Sequence, residues 1–202
     1  MTDTPKTPDT PAFSLCVYCG SRPGVDPTYA ETARAVGHWV GQHHGQLVYG
    51  GGHSGLMGIV ADAALAAGAP VVGVIPQALV EHEHAHYGCT ELIVVPNMHE
   101  RKRLMAERSH AFVTLAGGIG TFEELFETWT WRQLGYHDKP LGLLNTNGYY
   151  DGLLAFARHC VRAGLMDDNQ MRLLRVASDW QTLLTDLIEA AGFPAQARLE
   201  AI

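Results

Sequence analysis

The residues best suited to chemistry in this chain lie in one segment, HAFVTLAGGIGTFEELFETWTWRQLG, at positions 110–135. A cluster of glycines there is followed closely by three acids, Glu123, Glu124 and Glu127. Free N–H groups and the positive dipole at the start of a helix favour an anion such as phosphate. A carboxylate can take a proton from water or stabilise positive charge on a substrate. The segment therefore predicts a phosphate site beside acid–base chemistry.

A buried strand, a glycine loop and a helix are predicted to position these groups. Residues 111–115 have the length and flanks of a buried strand, and Thr121 is expected to open the helix. The glycines that can take positive φ or let a ligand reach the backbone are Gly117, Gly118 and Gly120. Thr121 with Glu124 also fits the S/T-x-x-E capping box, and acids are ordinary in a first helical turn. On local sequence, capping and catalysis both remain explanations for the acids.

The rest of the chain alternates strands with helices. Further strands are predicted at 14–18, 46–49, 71–75, 92–95, 141–144 and 174–176. Helices are predicted at 27–43, 98–109 and 149–163. Two more helices are predicted, one after Gly55 and one after a cap at Ser178 or Asp179. This alternation predicts an α/β fold with a doubly wound, Rossmann-like parallel sheet. In such a sheet the loops at 20–24, 50–55 and 116–121 meet at one edge and should line one crevice.

Composition and charge bound the domains and the partners. A chain of 202 residues, 47% apolar, suits one catalytic domain at 13–192, with a disordered lead at 1–12 and a frayed tail at 193–202. The lead has no apolar signal-peptide core, so a cytoplasmic location is expected. A net charge of −7 argues against a nucleic-acid polymer or an anionic membrane as partner.

A second glycine loop resembles a dinucleotide-binding fingerprint only in part. Gly50, Gly52 and Gly55 satisfy G-x-G-x-x-G between a predicted strand and a helix. An acid that would hold the ribose should end the next strand, but Pro76 and Gln77 stand there. No GxxxxGK[ST] motif occurs either. An NAD-dependent dehydrogenase and a Walker-type NTPase are therefore both disfavoured.

Cysteine and histidine clusters give weak metal signals. Cys16 and Cys19 form a single CxxC that straddles a strand and the following turn. His82, His84 and His86 alternate, so they would share one face if extended, but no cysteine or carboxylate set completes a site. The histidine segment is expected to be a mobile rim of the active site. The sequence thus predicts neither a metal nor a cofactor.

Three motifs together resemble a known family. GGIGTFEELFE at 117–127, MHERK at 98–102 and YGGGHSGLMG at 49–58 resemble the Lonely Guy (LOG) family of nucleoside 5'-monophosphate phosphoribohydrolases, the cytokinin-activating enzymes once mislabelled lysine decarboxylases. The resemblance spans roughly residues 15–188. The family pattern is PGGxGTxxE, and Ala116 replaces its proline. That exchange loses a fixed φ but no acid, base or phosphate donor.

The resemblance implies a hydrolase that splits the N-glycosidic bond of a purine, cytokinin-type nucleoside 5'-monophosphate into free base and ribose 5-phosphate. Breaking this bond builds positive charge on the sugar, which a carboxylate can stabilise while it orients or deprotonates water. The resemblance assigns the catalytic role to Glu124, with Arg101 as its partner. The expected substrate-binding residues are Ser21, Gly51, Gly52, Met57, Glu83, Met98, Lys102, Gly117, Gly118, Gly120, Thr121, Glu123 and Thr130, with the phosphate at 117–121.

Two other functions and an assembly are also considered. A nucleotide sensor or carrier without turnover could use the same crevice, and Ala116 is the motif residue that favours it. A pyridoxal decarboxylase needs a Schiff-base lysine in a pocket, and the chain's only lysines are Lys6, Lys102 and Lys139. The LOG resemblance implies a homodimer. Aromatic residues that crowd one predicted helix fit an interface or a core equally, and they are Phe126, Trp129 and Trp131.

Overall fold

Seven strands form one parallel sheet in the computed structural model, which describes residues 10–193. In chain order they are β1 (Ser14–Tyr18), β2 (Gln46–Tyr49), β3 (Val71–Pro76), β4 (Glu91–Val95), β5 (Ala111–Thr114), β6 (Leu141–Leu144) and β7 (Leu174–Ala177). Across the sheet the order is β4-β3-β2-β1-β5-β6-β7, and all neighbours are parallel. The predicted α/β fold with a doubly wound parallel sheet is confirmed.

Helices cover both faces of this sheet. They are α1 (Pro27–Gln42), α2 (Gly55–Ala66), α3 (Met98–Glu107), α4 (Ile119–Gln133), α5 (Asp151–Arg162), α6 (Asp168–Arg172) and α7 (Trp180–Ala190), with short 3-10 turns at Gln77–Leu79 and Thr146–Gly148. Helices α1, α2 and α7 contribute to one core, and α3, α4, α5 and α6 contribute to the other. The short α6, which the sequence analysis missed, begins with a capping box at Asp167.

The central strand supplies both cores. Leu15 and Val17 in β1 enter the core under α1 and α2, whereas Cys16 and Tyr18 enter the core under α3 and α4. Every residue of β1 is buried, as expected for a parallel strand that is covered on both faces. The strand order reverses between β1 and β5. The chain therefore leaves these two strands towards opposite faces of the sheet, to α1 and to α4, and a crevice remains at the carboxyl edge.

The predicted elements match the observed ones closely, apart from the missed α6 and the start of α4. The seven predicted strands and the helices at 27–43, 98–109 and 149–163 all agree to within two residues. Helix α4, however, begins at Ile119 rather than Thr121, and its N-cap, Gly118, has no side chain. The predicted Thr121–Glu124 capping box is therefore wrong, and Glu123 and Glu124 lie beyond the first turn. Capping does not explain these acids.

Of the predicted lead at 1–12 and tail at 193–202, residues 1–9 and 194–202 lie outside the described part of the chain. Between residues 10 and 193, every helix is too short or too polar to cross a lipid bilayer.

Candidate functional site

A cleft of about 640 Å³ opens where β1 and β5 lie side by side. The loops at 19–24 and 116–121 form two of its walls, as predicted. The loop at 50–55 does not line it directly, but Leu56 and Met57 at the start of α2 do. This volume suits a small molecule, and ligands of doubly wound sheets bind where the strand order reverses. The cleft is therefore the candidate active site.

The start of α4 offers bare backbone to the cleft. A side chain at Gly118 or Gly120 would meet nothing within 4 Å, so both positions are open to a ligand. Gly117 is tight instead, because a Cβ there would lie 2.1 Å from the Thr121 hydroxyl oxygen. None of these glycines has a positive φ, so close approach rather than unusual backbone is what they provide. The free N–H groups of the first helical turn make this end an anion site.

Glu124 borders the same cleft from the second turn of α4. Burial raises its pKa to about 7, against an opposing effect of Arg101 and a smaller reinforcing effect of Glu123 and Glu83. One turn further on, the Thr128 hydroxyl shares a buried hydrogen bond of 2.9 Å with Tyr18 in β1, which holds α4 against the sheet. A carboxyl group with this pKa can exchange a proton near neutral pH.

Arg101 brings a buried positive charge to the cleft from α3. Its Nε–H donates to the Val74 carbonyl at 3.1 Å, and its Nη2 donates to the Gly50 carbonyl at 2.8 Å. The same Nη2 lies 3.3 Å from a carboxylate oxygen of Glu83. A backbone carbonyl within β3 and one directly after β2 therefore fix the guanidinium, which matches the fork geometry of arginine.

Lys102 occupies a different position from its neighbour. Its buried ammonium lies 2.5 Å from a carboxylate oxygen of Glu123 and 2.9 Å from one of Glu127, which joins α3 to α4. Burial disfavours the charged ammonium, but the two carboxylates outweigh that effect and raise the pKa of Lys102. Lys102 does not line the cleft, whereas Glu123 does. Lys102 therefore orients the Glu123 carboxylate without lining the cleft itself.

The cleft brings together most of the predicted site residues. The predicted residues that line it are Ser21, Met57, Glu83, Met98, Arg101, Gly117, Gly118, Gly120, Thr121, Glu123 and Glu124. The predicted residues outside it are Gly51, Gly52, Lys102 and Thr130. Gly51 and Gly52 connect to the segment that carries Glu83, because the Gly51 carbonyl accepts from the His86 N–H at 2.8 Å and Gly52 bridges to Ala85. Thr130 is exposed on α4.

The cleft also contains residues that the sequence analysis did not assign to it. They include Tyr29, Leu79 and Tyr149. The Tyr149 hydroxyl donates to the Gly117 carbonyl at 2.6 Å and so supports the glycine loop. Its position after β6 was an available signal, because every loop that follows a parallel strand emerges at the same edge.

The two weak metal signals have structural explanations. Residues 77–90 form turns rather than an extended strand, so the condition for a common face of the three histidines is not met. His82 and His84 are exposed, and only His86 is buried. Cys16 and Cys19 are buried free thiols, and burial raises the pKa of both, which disfavours the thiolate that redox or metal chemistry requires.

Comparisons with known proteins agree with this geometry. A family described as possible lysine decarboxylase matches residues 57–187. Over 182 residues the chain is 43% identical to the probable cytokinin riboside 5'-monophosphate phosphoribohydrolase LOG4 of Oryza sativa subsp. japonica, covering 90% of this chain and 79% of that one. Over 154 residues it is 48% identical to a cytokinin riboside 5'-monophosphate phosphoribohydrolase of Rhodococcoides fascians, covering 76% and 78%.

A solved structure supports the fold alone. The molybdenum cofactor carrier protein of Chlamydomonas reinhardtii superposes with a TM-score of 0.67 at 21% identity, over 89% of this chain and 98% of that chain. At that identity the superposition shows a shared architecture only, because one architecture can host different sites.

Proposed function

The chain belongs to the Lonely Guy (LOG) family of cytokinin riboside 5'-monophosphate phosphoribohydrolases, and we infer that it is a hydrolase of this type. It splits the N-glycosidic bond of a purine, cytokinin-type nucleoside 5'-monophosphate and releases free base and ribose 5-phosphate. The observation that carries this inference is the position of Glu124, whose pKa is near 7, in the same cleft as the bare amides at the start of α4. An anion site beside a titrating carboxyl group suits a phosphorylated sugar whose anomeric carbon is attacked by water.

The older decarboxylase label does not fit the lysines. Lys102 is held between two carboxylates behind the cleft, and the Lys139 ammonium donates to the Ala106 carbonyl at 2.6 Å. Neither lysine lines the cleft within residues 10–193. A Schiff base to pyridoxal needs a lysine inside the pocket.

We propose that the 5'-phosphate binds the N–H groups at residues 118–121 and that the ribose lies between Glu123 and Glu124. As the C1'–N9 bond breaks, its electron pair leaves with the base and positive charge develops on the sugar. Glu124 stabilises that charge and takes a proton from the attacking water, whose oxygen bonds to C1'. The departing base then accepts a proton. The anchoring of Arg101 by two carbonyls supports its role as a fixed positive group beside Glu124.

An activity measurement separates this hydrolase from a nucleotide sensor with the same cleft. We expect the purified protein to convert N6-isopentenyladenosine 5'-monophosphate to free base and ribose 5-phosphate in equal amounts, as measured by chromatography. The matched nucleoside without phosphate should react far more slowly, because it lacks the group that the helix end binds. Parallel assays with AMP test the preference for the base. Tight binding of the monophosphate without release of base would instead identify a sensor.

We further propose a homodimer in which α4 lies at the interface. Phe126 is 42% exposed on this helix, and beyond its end Leu134 is 57% and Tyr136 75% exposed. Trp129, in contrast, is a core residue, and its Nε1–H donates to the Gln170 carbonyl at 2.8 Å. The exposed apolar group, rather than the whole set of aromatic residues on α4, supports an interface.

Substitution of Phe126 with glutamate should shift the protein from dimer to monomer in sedimentation velocity. A buried charge at the interface would lack a partner, which strongly disfavours association. Phe156→Glu is the matched control, because Phe156 is 63% exposed on α5. It should leave the mass unchanged. A monomeric parent protein, or a dimer that persists in Phe126→Glu, would exclude this interface.

A further inference from the structure

Three potential metal ligands meet outside the cleft. His53 follows β2, Asp62 lies in α2, and His86 belongs to the segment after β3. The His53 Nε2 is 3.0 Å from one carboxylate oxygen of Asp62, and the His86 Nε2 is 2.8 Å from the other. One ligand atom from each residue can be chosen so that all three lie within 4.8 Å of one another. None of the three residues lines the cleft.

The spacing of these atoms resembles that of ligands around one metal ion. Zinc binds imidazole nitrogen and carboxylate oxygen at about 2.0–2.2 Å, which puts neighbouring ligands of a tetrahedral site about 3.3 Å apart. Measured to the same oxygen of Asp62, Oδ1, the separations are 3.2 Å from the His53 Nε2 and 2.8 Å from the His86 Nε2, and both need only small adjustments to reach that value. Two imidazoles with one carboxylate suit zinc-type ions rather than calcium or magnesium, which prefer oxygen alone.

The surroundings leave room for an ion and orient the ligands. The side chains of His53 and Asp62 are 50% and 58% exposed, so an ion can enter from solvent and keep water as a further ligand. Behind the buried His86, Nδ1 lies 3.5 Å from the Cys89 sulfur. When a metal replaces the hydrogen bond between Nε2 and Asp62, a neutral His86 carries its proton on Nδ1 and can donate it to this sulfur, so that Nε2 offers its lone pair to the metal, as in many metal–histidine sites.

The carboxylate adds the charge that a cation needs. An aspartate is ordinarily ionised at neutral pH, and a negatively charged ligand between two imidazoles favours a cation.

We propose that His53, Asp62 and His86 bind one divalent transition-metal ion of the zinc type, with water completing its coordination. The ion links three separate parts of the chain: the loop after β2, α2, and the segment after β3. That segment carries Glu83, which bonds to Arg101, and its Glu83 and His84 carbonyls accept from the His53 N–H at 3.1 and 2.8 Å. Metal binding at this site therefore stabilises one rim of the cleft without contacting the substrate.

Titration of the chelator-treated, full-length protein tests the site directly. With Zn²⁺ as the probe in competition with a chromophoric chelator, we expect one high-affinity ion per chain. Co²⁺ should give visible absorption bands of a low-coordinate nitrogen and oxygen site. His53→Ala should weaken Zn²⁺ binding by at least about tenfold, since loss of an outer-shell partner alone costs that much. Zn²⁺ should also raise the melting temperature of the parent protein but not that of His53→Ala.

His82→Ala is the matched control, because His82 is exposed in the same segment and is not a member of the cluster. It should bind Zn²⁺ as the parent protein does. His53 is half-exposed, so its loss is not expected to unfold the chain, and circular dichroism checks this. The proposal is overturned if the parent protein binds Zn²⁺ no more tightly than His53→Ala, or if His82→Ala causes the same loss.

Discussion

Glu124→Gln should lower kcat for base release by roughly 10³-fold while the protein remains folded. Glutamine has the size of glutamate and can accept hydrogen bonds, but it carries no charge and does not take a proton from water. The loss should therefore appear in the chemical step, which single-turnover release of base from N6-isopentenyladenosine 5'-monophosphate measures. Binding of ribose 5-phosphate should change little, because the phosphate is expected to contact the helix end. Turnover within a few-fold of the parent protein would remove Glu124 from the mechanism.

The stability of the same variant provides an independent check. Because burial raises the pKa of Glu124 from 4.5 to about 7, the folded state binds this proton more tightly than the unfolded chain does. The contribution of Glu124 to stability is thus most favourable below pH 4.5 and is lost as the pH rises through 7. Relative to the parent protein, Glu124→Gln should gain up to about 3 kcal/mol at pH 8 and less near pH 5. Urea unfolding at both values measures the difference.

A control on the same helix separates the loss of this carboxylate from a general change in charge. Glu127 bonds to Lys102 and does not line the cleft. Glu127→Gln should keep turnover within a few-fold of the parent protein, because Glu123 still holds the ammonium.

The parent protein's kcat should also fall as the pH drops below about 7, since the ionised form of Glu124 is the active one. A kcat that rises toward acid pH would make Glu124 a proton donor instead.

The backbone could be predicted from the sequence because its signals are local. The run at 14–18 is buried on both faces of the sheet, so continuous apolar character predicts it. The convergence of the loops at 19–24 and 116–121 follows from the parallel topology alone. The start of α4 could not be predicted in this way. Gly118 caps it without a side chain, and Thr121 offered a more familiar but wrong signal.

Contacts between distant elements account for the part of the site that could not be predicted. Adjacent residues on α3 have different surroundings, because Arg101 bonds to carbonyls of the sheet edge while Lys102 reaches carboxylates on α4. Which direction each side chain takes depends on how α3 packs, and no local pattern encodes that. The same holds for His53 and Asp62, whose link to His86 crosses three elements. The alternating histidines within residues 82–86 therefore did not reveal this cluster.

Ala116 illustrates how a departure from the family motif is accommodated. Its carbonyl accepts from the Gly20 N–H at 3.0 Å, and a Cβ at Gly20 would lie 3.2 Å from the Gly117 Cα. The loops after β1 and β5 therefore support each other through backbone contacts. Proline would add a fixed φ at this position. The backbone contact that supports the glycine loop is present with alanine.

Arg101→Gln should lower kcat/KM by roughly 100-fold, with a pH profile shifted toward higher pH. Among the neighbours that lower the pKa of Glu124, Arg101 has the largest effect, so removal of its charge should raise that pKa. The acid limb of the profile, the range in which activity falls as the pH drops, should then move from about pH 7 to higher pH. Arg101→Lys separates charge from geometry. This variant keeps the positive charge, so the acid limb of its pH profile should stay near that of the parent protein. It loses the planar guanidinium that donates to the Val74 and Gly50 carbonyls.

Complete pH profiles of kcat/KM for the parent protein and both variants provide the test. Because the substrate phosphate itself titrates near pH 6, the shift is measured as the difference between variant and parent rather than as an absolute value. Removal of the guanidinium also takes one hydrogen bond from each of two carbonyls, so thermal unfolding must accompany the kinetics. Arg101→Lys controls for this loss, because it also lacks the guanidinium that bonds to both carbonyls. If Lys and Gln shift the acid limb equally, Arg101 does not act on Glu124 through its charge, and its role is confined to holding the cleft together.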